Sequence, residues 1–404
     1  MTLLERFLKY VQIDSTSDHD SVSAPSTEIQ WNIARVLEEE MNEMGFQDVY
    51  VADGCIVYGT IPGNVEGVPT YGLIAHMDTS PDLTGKDVKP RVIEGYDGKD
   101  IVLNPDVITS VEKFPVLKDK VGKTLIVTDG NTLLGADDKA GIAIILDFAQ
   151  YLFENPSVKH GTIKVAFTPD EEVGRGTDNF DVEKFGCDFA YTVDGGEIDK
   201  IGYENFNAAS AVLDIQGVGV HPGSSKHKMV NAALVGMKFN SLLNEFDRPE
   251  YTEGFEGFNH LTDIKGDVDH CHMEYIIRNH NAVKFAHQKE QFRLATQFIN
   301  HQYGYDVIHL EIKDTYANML EILKDHMNVV EYIEKAMVSL GIAPKSEAIR
   351  GGTDGARLTY DGLPCPNLGT GGYNCHGRYE FAVLEEMQLG VELLKKINEM
   401  VVSK

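Results

Sequence analysis

The stretch Tyr71-Gly72-Leu73-Ile74-Ala75-His76-Met77-Asp78-Thr79-Ser80 is an apolar run that ends in a histidine, an aspartate and small polar residues. Such a run, bounded by turn-forming residues, predicts a buried β-strand. Ligands of open α/β sheets bind beyond the carboxyl ends of the strands, so His76 and Asp78 lie where a functional site is expected. Residues two apart on an extended chain face the same side, and both side chains can reach one site. Taken alone, the pair fits an ordinary strand end with a solvated aspartate better.

Two further apolar runs end in acidic residues. Residues 163–168 precede Glu171 and Glu172, and residues 189–193 precede Asp194. If these strands and the one quoted above belong to one mainly parallel sheet, their carboxyl ends meet at one edge. The repetition therefore predicts a cluster of acids and imidazole at that edge.

Asp137 lies between these runs, at the start of an apolar helix that follows a predicted strand at 125–128. A carboxylate is favoured at a helix start by the helix dipole, so capping alone would account for it. The neighbouring strand ends make Asp137 a candidate for the same cluster.

The composition indicates a globular chain of two domains. Its 404 residues exceed the usual size of one domain, and 42% are hydrophobic and 25% charged. No apolar run reaches the roughly 18 residues of a transmembrane helix, and the N-terminus, with Glu5 and an amphipathic pattern, differs from a signal peptide. Five cysteines without a C-x-x-C pair fit reduced thiols. We expect a cytoplasmic protein with no membrane partner.

The net charge of -27 argues against nucleic acid as a partner, because phosphate contacts need clustered Lys and Arg. Fourteen histidines beside many acids make a metal site possible without placing it.

The remaining pattern predicts an insertion. Residues 208–315 follow a β-α-β-β-α-β order, which suits a four-stranded sheet with two helices on one face. This α+β domain would interrupt a catalytic domain made of 1–207 and 316–404. A helical pattern that opens at 25–28 ends at Gly45, and the last helix runs over about 380–401. The predicted fold class is α/β, with a mixed, mainly parallel sheet and flanking helices, plus the inserted domain.

The acids and histidines suit two metal ions. Zinc takes imidazole and carboxylate ligands, and paired-metal hydrolases share a carboxylate between ions about 3.5–4 Å apart. One ion would be held by His76, Asp137 and Asp194, and the other by Asp137, Glu172 and His376. The late histidine His376 lies between a Gly-rich loop and a helix start, where a side chain can be aimed.

The remaining acids can take supporting roles. Glu171 would face the water between the ions as general base while its neighbour Glu172 binds metal. Asp78 would accept the second ring N–H of His76 and fix its tautomer. His221, in the insertion, is better suited to donate to a carbonyl oxygen as negative charge develops.

His270 and His272 are a second histidine pair, in an alternating strand of the insertion. They share one face of that strand, and a solvated strand explains them better than a ligand pair.

The motifs G-L-I-A-H-M-D-T-S-P-D, L-L-G-A-D-D-K-A-G-I-A, F-T-P-D-E-E-V-G, V-D-G-G, V-H-P-G, Y-I-I-R, I-R-G-G-T-D-G-A and G-G-Y-N-C-H-G occur in this order. In order and spacing the chain resembles the tripeptide aminopeptidases of the co-catalytic zinc aminoacylase/carboxypeptidase superfamily. The resemblance implies a zinc exopeptidase-like fold, two zinc ions per subunit, a small peptide substrate and an inserted lid that can support a homodimer. It also implies a cis peptide between Asp137 and Asp138.

By position, the resemblance implies the same ligands, Glu171 as base and Asp78 as the acid that orients the site. It further implies that His221 contacts substrate and that Arg278 and Arg350 are candidates to grip the substrate carboxylate. The expected activity is release of the N-terminal residue from tripeptides. A dipeptidase, carboxypeptidase or N-acyl-amino-acid deacylase on the same fold stays open, as does a metal-stabilised binding protein without catalysis.

Overall fold

The computed structural model describes residues 1–403 and divides the chain into two compact units. The first comprises Met1–Tyr203, Glu321–Glu347 and the chain from Thr353 onward. The second comprises Glu204–Leu320 and the short segment Ala348–Gly352. The second unit thus extends beyond the predicted insertion, 208–315, at both ends. It also includes the later segment Ala348–Gly352.

The helices are α1 (Leu3–Val11), α2 (Gln30–Met44), α3 (Ala136–Glu154), α4 (Val182–Phe185), α5 (Ala232–Leu242), α6 (Ala282–Tyr303), α7 (Leu320–Leu323), α8 (Asn328–Ser339), α9 (Asp354–Tyr360) and α10 (Leu384–Val402).

The strands are β1 (Gln47–Val51), β2 (Val57–Ile61), β3 (Tyr71–His76), β4 (Arg91–Ile93), β5 (Ile101–Asn104), β6 (Val107–Thr109), β7 (Leu125–Val127), β8 (Ile163–Thr168), β9 (Phe189–Val193), β10 (Lys200–Asn205), β11 (Asn207–Gln216), β12 (Phe258–Gly266), β13 (His270–Asn279), β14 (Ile308–Tyr316), β15 (Lys345–Ile349), β16 (Asn367–Leu368), β17 (Gly372–Tyr373) and β18 (Phe381–Val383).

An eight-stranded mixed sheet organises the first unit, in the order β1-β2-β8-β3-β9-β16-β10-β15. The central strands β8, β3, β9 and β16 pair in parallel, whereas β1, β2 and β10 pair antiparallel with their neighbours. A second, antiparallel sheet runs β17-β18-β7-β4. The predicted α/β class with a mixed sheet and flanking helices is confirmed.

Strand β3 is buried along its whole length, as expected for the centre of a parallel sheet covered by helices. The covering helix α3 is apolar around most of its circumference and buries 13 of its 19 residues. Gly141 of α3 permits the close approach, because a Cβ there would lie 1.8 Å from the carbonyl oxygen of Val193.

The second unit is an α+β layer. Its antiparallel sheet runs β12-β13-β11-β14, and α5 and α6 cover one face. Alternate residues of β11 and β13 point into the buried core that these helices close, while most residues of the other face are half-buried or exposed. Strand β12, largely exposed, was not located from the sequence.

No helix within residues 1–403 is long and apolar enough to cross a membrane.

Candidate metal centre

Three neighbouring parallel strands deliver the candidate ligands to one edge of the main sheet. His76 is the last residue of β3, Glu171 and Glu172 form a short turn after β8, and Asp194 directly follows β9. Since β8, β3 and β9 are adjacent and parallel, their carboxyl ends meet, as the sequence pattern requires.

Asp137 enters from the start of α3. Its backbone is not helical (φ -85°, ψ 103°), and the peptide bond to Asp138 is cis, as the resemblance implies. Asp138 is buried and accepts hydrogen bonds from the backbone N–H groups of His76 and Gly141, at 3.2 Å each. It therefore anchors the start of α3 to the end of β3 and leaves Asp137 facing the strand ends.

His376 comes from the turn after β17 and has a left-handed backbone, with φ 65°. This conformation is uncommon for a residue with a side chain. The turn aims the imidazole back at the carboxylates that the main sheet supplies.

The structure brings the five predicted ligands into two groups that share Asp137. In the first, His76 Nε2 lies 2.9 Å from Asp137 Oδ1 and 3.7 Å from Asp194 Oδ1. In the second, His376 Nε2 lies 3.3 Å from Asp137 Oδ2 and 3.0 Å from Glu172 Oε2. One carboxylate thus offers one oxygen to each group, which is the arrangement of a bridging ligand.

The donor set fits divalent cations. Among residues 1–403, the ion-pair partners of Asp137, Glu172 and Asp194 are the two histidines, with no Lys or Arg. Glu172 Oε1 is buried and has no hydrogen-bond partner in the protein. A buried carboxylate oxygen without a partner is costly, and a cation would satisfy it.

The charges of this centre shift the pKa values of its members. Burial, together with the charge of Asp194, raises the pKa of Glu171 well above its usual range. Burial alone would raise the pKa of Asp137 too, but hydrogen bonds from His376 and His76 outweigh it and lower that pKa. The pKa of His376 rises to about 11, because Asp137 and Glu172 both accept from its ring.

Asp78 is fully buried beside the turn of Glu171 and Glu172. Its two carboxylate oxygens accept the backbone N–H groups of Glu171 and Glu172, at 3.0 and 3.2 Å. His76 Nδ1 lies 3.1 Å from the carbonyl oxygen of Asp78 and 3.4 Å from its carboxylate. Asp78 therefore contacts both the histidine and the turn of the two glutamates, a second contact that the sequence did not reveal.

The three predicted substrate residues lie in the second unit. His221 is exposed, and its Nδ1 accepts the N–H of Gly223 at 3.2 Å. The Arg278 guanidinium donates to the carbonyl oxygen of Ala209 and stacks over Tyr316.

Arg350 is more heavily engaged. Its two terminal nitrogens donate to carbonyl oxygens of Gly254 and Glu256 and to the hydroxyl of Thr252. Its guanidinium also lies over the ring of Phe206.

The histidines His270 and His272 lie on the solvent-accessible face of β13, where both contact Asp214. They form no group of three ligands with the geometry seen at the sheet edge. Their position on the accessible face is consistent with the interpretation that they are solvated strand residues.

Two residues near the centre had no predicted role. Glu380 is buried and accepts the N–H groups of Leu134, Gly135 and Asp137, at 2.7, 2.8 and 3.2 Å. Asp354 is buried and accepts from the hydroxyl of Thr168 at the end of β8. Glu380 follows His376 closely in the sequence, but the pattern there predicts the start of the last helix and no role in the site.

The fold and the paired ligand groups at its sheet edge define the class. The chain belongs to peptidase family M20/M25/M40, and the sequence model of that family matches residues 127–399. This confirms the resemblance seen in the motifs.

Among its relatives are proteins named Peptidase T. The chain is 52% identical over 403 residues to Peptidase T of Alkaliphilus oremlandii and 53% identical over 401 residues to that of Caldanaerobacter subterraneus, with 98% of both chains covered in each case. Its fold is similar to that of the aminopeptidase PepT from Bacillus cereus, with a TM-score of 0.78 at 24% identity, covering 99% of this chain and 98% of that one. A dinuclear metal-binding peptidase of the M20 family from Bacillus subtilis has a TM-score of 0.64 at 14% identity, covering 99% and 97%.

Proposed function

We propose that this chain is a metallo-exopeptidase that removes the N-terminal residue from tripeptides and uses two zinc ions. The observation that carries the proposal is the sharing of Asp137 between two ligand groups, with Glu171 beside them in the turn that also supplies a ligand. Relatives of high identity named Peptidase T support the substrate class.

His76, Asp137 and Asp194 would hold one ion, and Asp137, Glu172 and His376 the other. When bound, such ions lower the pKa of water and polarise the scissile carbonyl. Glu171 takes the proton from the attacking water and later gives it to the leaving amine. Asp78 fixes the turn of Glu171 through two backbone N–H bonds.

Substrate contacts are proposed for the second unit. His221 would donate to the developing oxyanion. Of the two arginines, Arg278 is the better candidate for binding the substrate carboxylate. Both terminal nitrogens of Arg350 donate to protein acceptors, whereas Arg278 donates through Nη1.

We also propose that the protein forms a homodimer through the second unit, because its helices α5 and α6 carry exposed apolar side chains. Leu234 and Met237 of α5 are 61% and 63% exposed, and Leu294 and Phe298 of α6 are 53% and 48% exposed. Sedimentation of the parent protein and of a Met237→Glu variant measures this, and a monomeric parent would exclude it. A cytoplasmic location stays a prediction.

One assay separates the proposed activity from its rivals. Tri-alanine, di-alanine, tetra-alanine and N-acetyl-tri-alanine are compared at equal concentration, with and without a chelator. We expect tri-alanine to be cleaved fastest, at its first peptide bond, and chelation to abolish cleavage. Equal cleavage of the acetylated peptide would exclude an aminopeptidase and favour a deacylase or carboxypeptidase.

A binding protein without catalysis is the remaining alternative. It predicts that a ligand or the base is missing, and the chain has all five ligands and Glu171 at one sheet edge.

A further inference from the structure

The turn that carries Glu171 begins at a buried aspartate that belongs to neither ligand group. Asp170 is 2% exposed and has a left-handed backbone, with φ 57°. This conformation is uncommon for a residue with a Cβ, and aspartate adopts it where local hydrogen bonds support it. The contacts of Asp170 should therefore identify what holds the turn.

The hydrogen bonds to its carboxylate come from the start of α2 and the residues before it, and Arg175 Nη2 lies 4.0 Å from Asp170 Oδ2. Asp170 Oδ2 accepts the backbone N–H of Ser26 at 2.7 Å, and Oδ1 accepts the Gln30 amide at 2.7 Å and the Ser26 hydroxyl. The side-chain oxygen of Gln30, Oε1, accepts the backbone N–H of Asp170 at 3.1 Å. Gln30 is fully buried and Ser26 nearly so.

Three consecutive backbone N–H groups of the turn are thus held by side chains from elsewhere in the chain. Gln30 accepts that of Asp170, and Asp78 accepts those of Glu171 and Glu172. Asp78 fixes the turn from the β3 side, and Ser26 and Gln30 fix it from the α2 side.

We propose that Ser26, Gln30 and Asp170 form a clamp that positions Glu171, so that Ser26 and Gln30 are positioning residues for proton transfer. The proposal rests on the proposed function, in which Glu171 is the base. Without Ser26 and Gln30, the Asp170 carboxylate would keep only the Arg175 ion pair at 4.0 Å, and the left-handed turn would lose its hydrogen bonds to α2. The Glu171 carboxylate would then be displaced from the attacking water.

The test is Gln30→Met, which keeps the length of the side chain and removes both of its hydrogen-bonding groups. A displacement of about 1 Å can cost about 100-fold in rate. We therefore expect kcat on tri-alanine to fall by about 10- to 100-fold, with KM within about threefold and both metals still bound. Hydrogen exchange of the peptide 169–173 should also become faster in the metal-free protein, because the Asp170 N–H loses its acceptor.

The matched control is Gln288→Met in the second unit. Gln288 is also buried and also bonded at both ends, to Asn279 and Asn259. It should lower Tm comparably and leave kcat within about twofold. Should Gln30→Met fail to fold, Ser26→Ala is the second variant, and it is expected to lower kcat by about threefold or more. It removes the hydroxyl that donates to Asp170 and accepts from the Asp18 N–H and the Gln30 amide, and keeps the Gln30–Asp170 bonds.

The outcomes are distinct. A folded, metal-loaded Gln30→Met enzyme with kcat within twofold of an active parent overturns the clamp and leaves the proposed function intact. Equal loss of kcat in Gln288→Met also overturns it, because the effect would then be one of stability alone. A parent that does not cleave tri-alanine overturns the proposed function and the clamp with it.

Discussion

Replacing Glu171 by Gln separates the roles of two adjacent glutamates. Glutamine has nearly the same volume, so the turn keeps its packing, and neither ligand group includes Glu171. Both metals should therefore bind. General base catalysis contributes about 100- to 10,000-fold, and Glu171 serves both to remove and to deliver the proton, so we expect kcat to fall by about 1,000-fold or more. That loss corresponds to about 4 kcal/mol of transition-state stabilisation.

The same change should stabilise the metal-free protein. Burial and the charge of Asp194 raise the pKa of Glu171, which means that its ionised form is disfavoured in the folded state. A neutral amide removes that penalty, so Tm in chelator should rise by roughly 2 °C for each kcal/mol of penalty that is removed. Glu171→Gln would thus lower kcat and raise the Tm of the metal-free protein, as expected for a residue that serves catalysis at the cost of stability.

Glu172→Gln is the comparison. Glu172 Oε2 lies 3.0 Å from His376 Nε2, so this variant should lose one metal as well as turnover. The assay combines kcat on tri-alanine, metal content per chain and Tm with and without chelator. Retention of more than a tenth of the parent kcat in a Glu171→Gln enzyme would refute the base assignment, and loss of a metal would show that Glu171 is a ligand instead.

Three further predictions concern the same edge of the sheet. In chelator, the stability of the protein should fall as pH rises, because the protonated ring of His376 stabilises the fold. This contribution is complete below pH 6.5, the ordinary pKa of histidine, and is lost as pH rises towards 11. The difference in Tm between metal-loaded and metal-free protein should therefore widen between about pH 6 and 8, and a constant difference would contradict this. Glu380→Gln leaves one of three backbone N–H groups near Asp137 unpaired, which should cost about 1–3 kcal/mol of folding free energy in denaturant titration and weaken metal binding; unchanged metal affinity would show that Glu380 does not position Asp137. Gly141→Ala places a Cβ 1.8 Å from the carbonyl oxygen of Val193 and should prevent recovery of folded protein, whereas a variant with parental Tm would mean that α3 can shift freely.

The parts of the site that could be predicted are those that lie directly after buried strands. A strand buried on both faces appears as a continuous apolar run, so the ends of β3, β8 and β9 were visible, and with them His76, Glu172 and Asp194. The end of α2 was equally visible, because Gly45 adopts φ 98° there, a conformation that glycine accepts without strain.

The supports of the site could not be predicted, because their partners are distant in sequence. Asp170 bonds to Ser26 across 144 positions, and no periodicity connects the two. Glu380 was interpreted as the start of the last helix, but the short strand β18 comes first and α10 begins only at Leu384. Three apolar residues before a helix do not distinguish a strand from a first helical turn.

The shared ligand also sets an order of assembly during synthesis of the chain. His76, Asp137 and Asp194 all lie in the first half of the sequence, so the first ligand group is complete before the second unit has been made. The second group also needs His376, whose turn lies between β17 and β18, and β18 pairs with both β17 and β7. Under the proposed function, a nascent chain therefore carries the ligands of one ion but not of a pair, and we expect it to hydrolyse no peptide until its last segment has joined the fold.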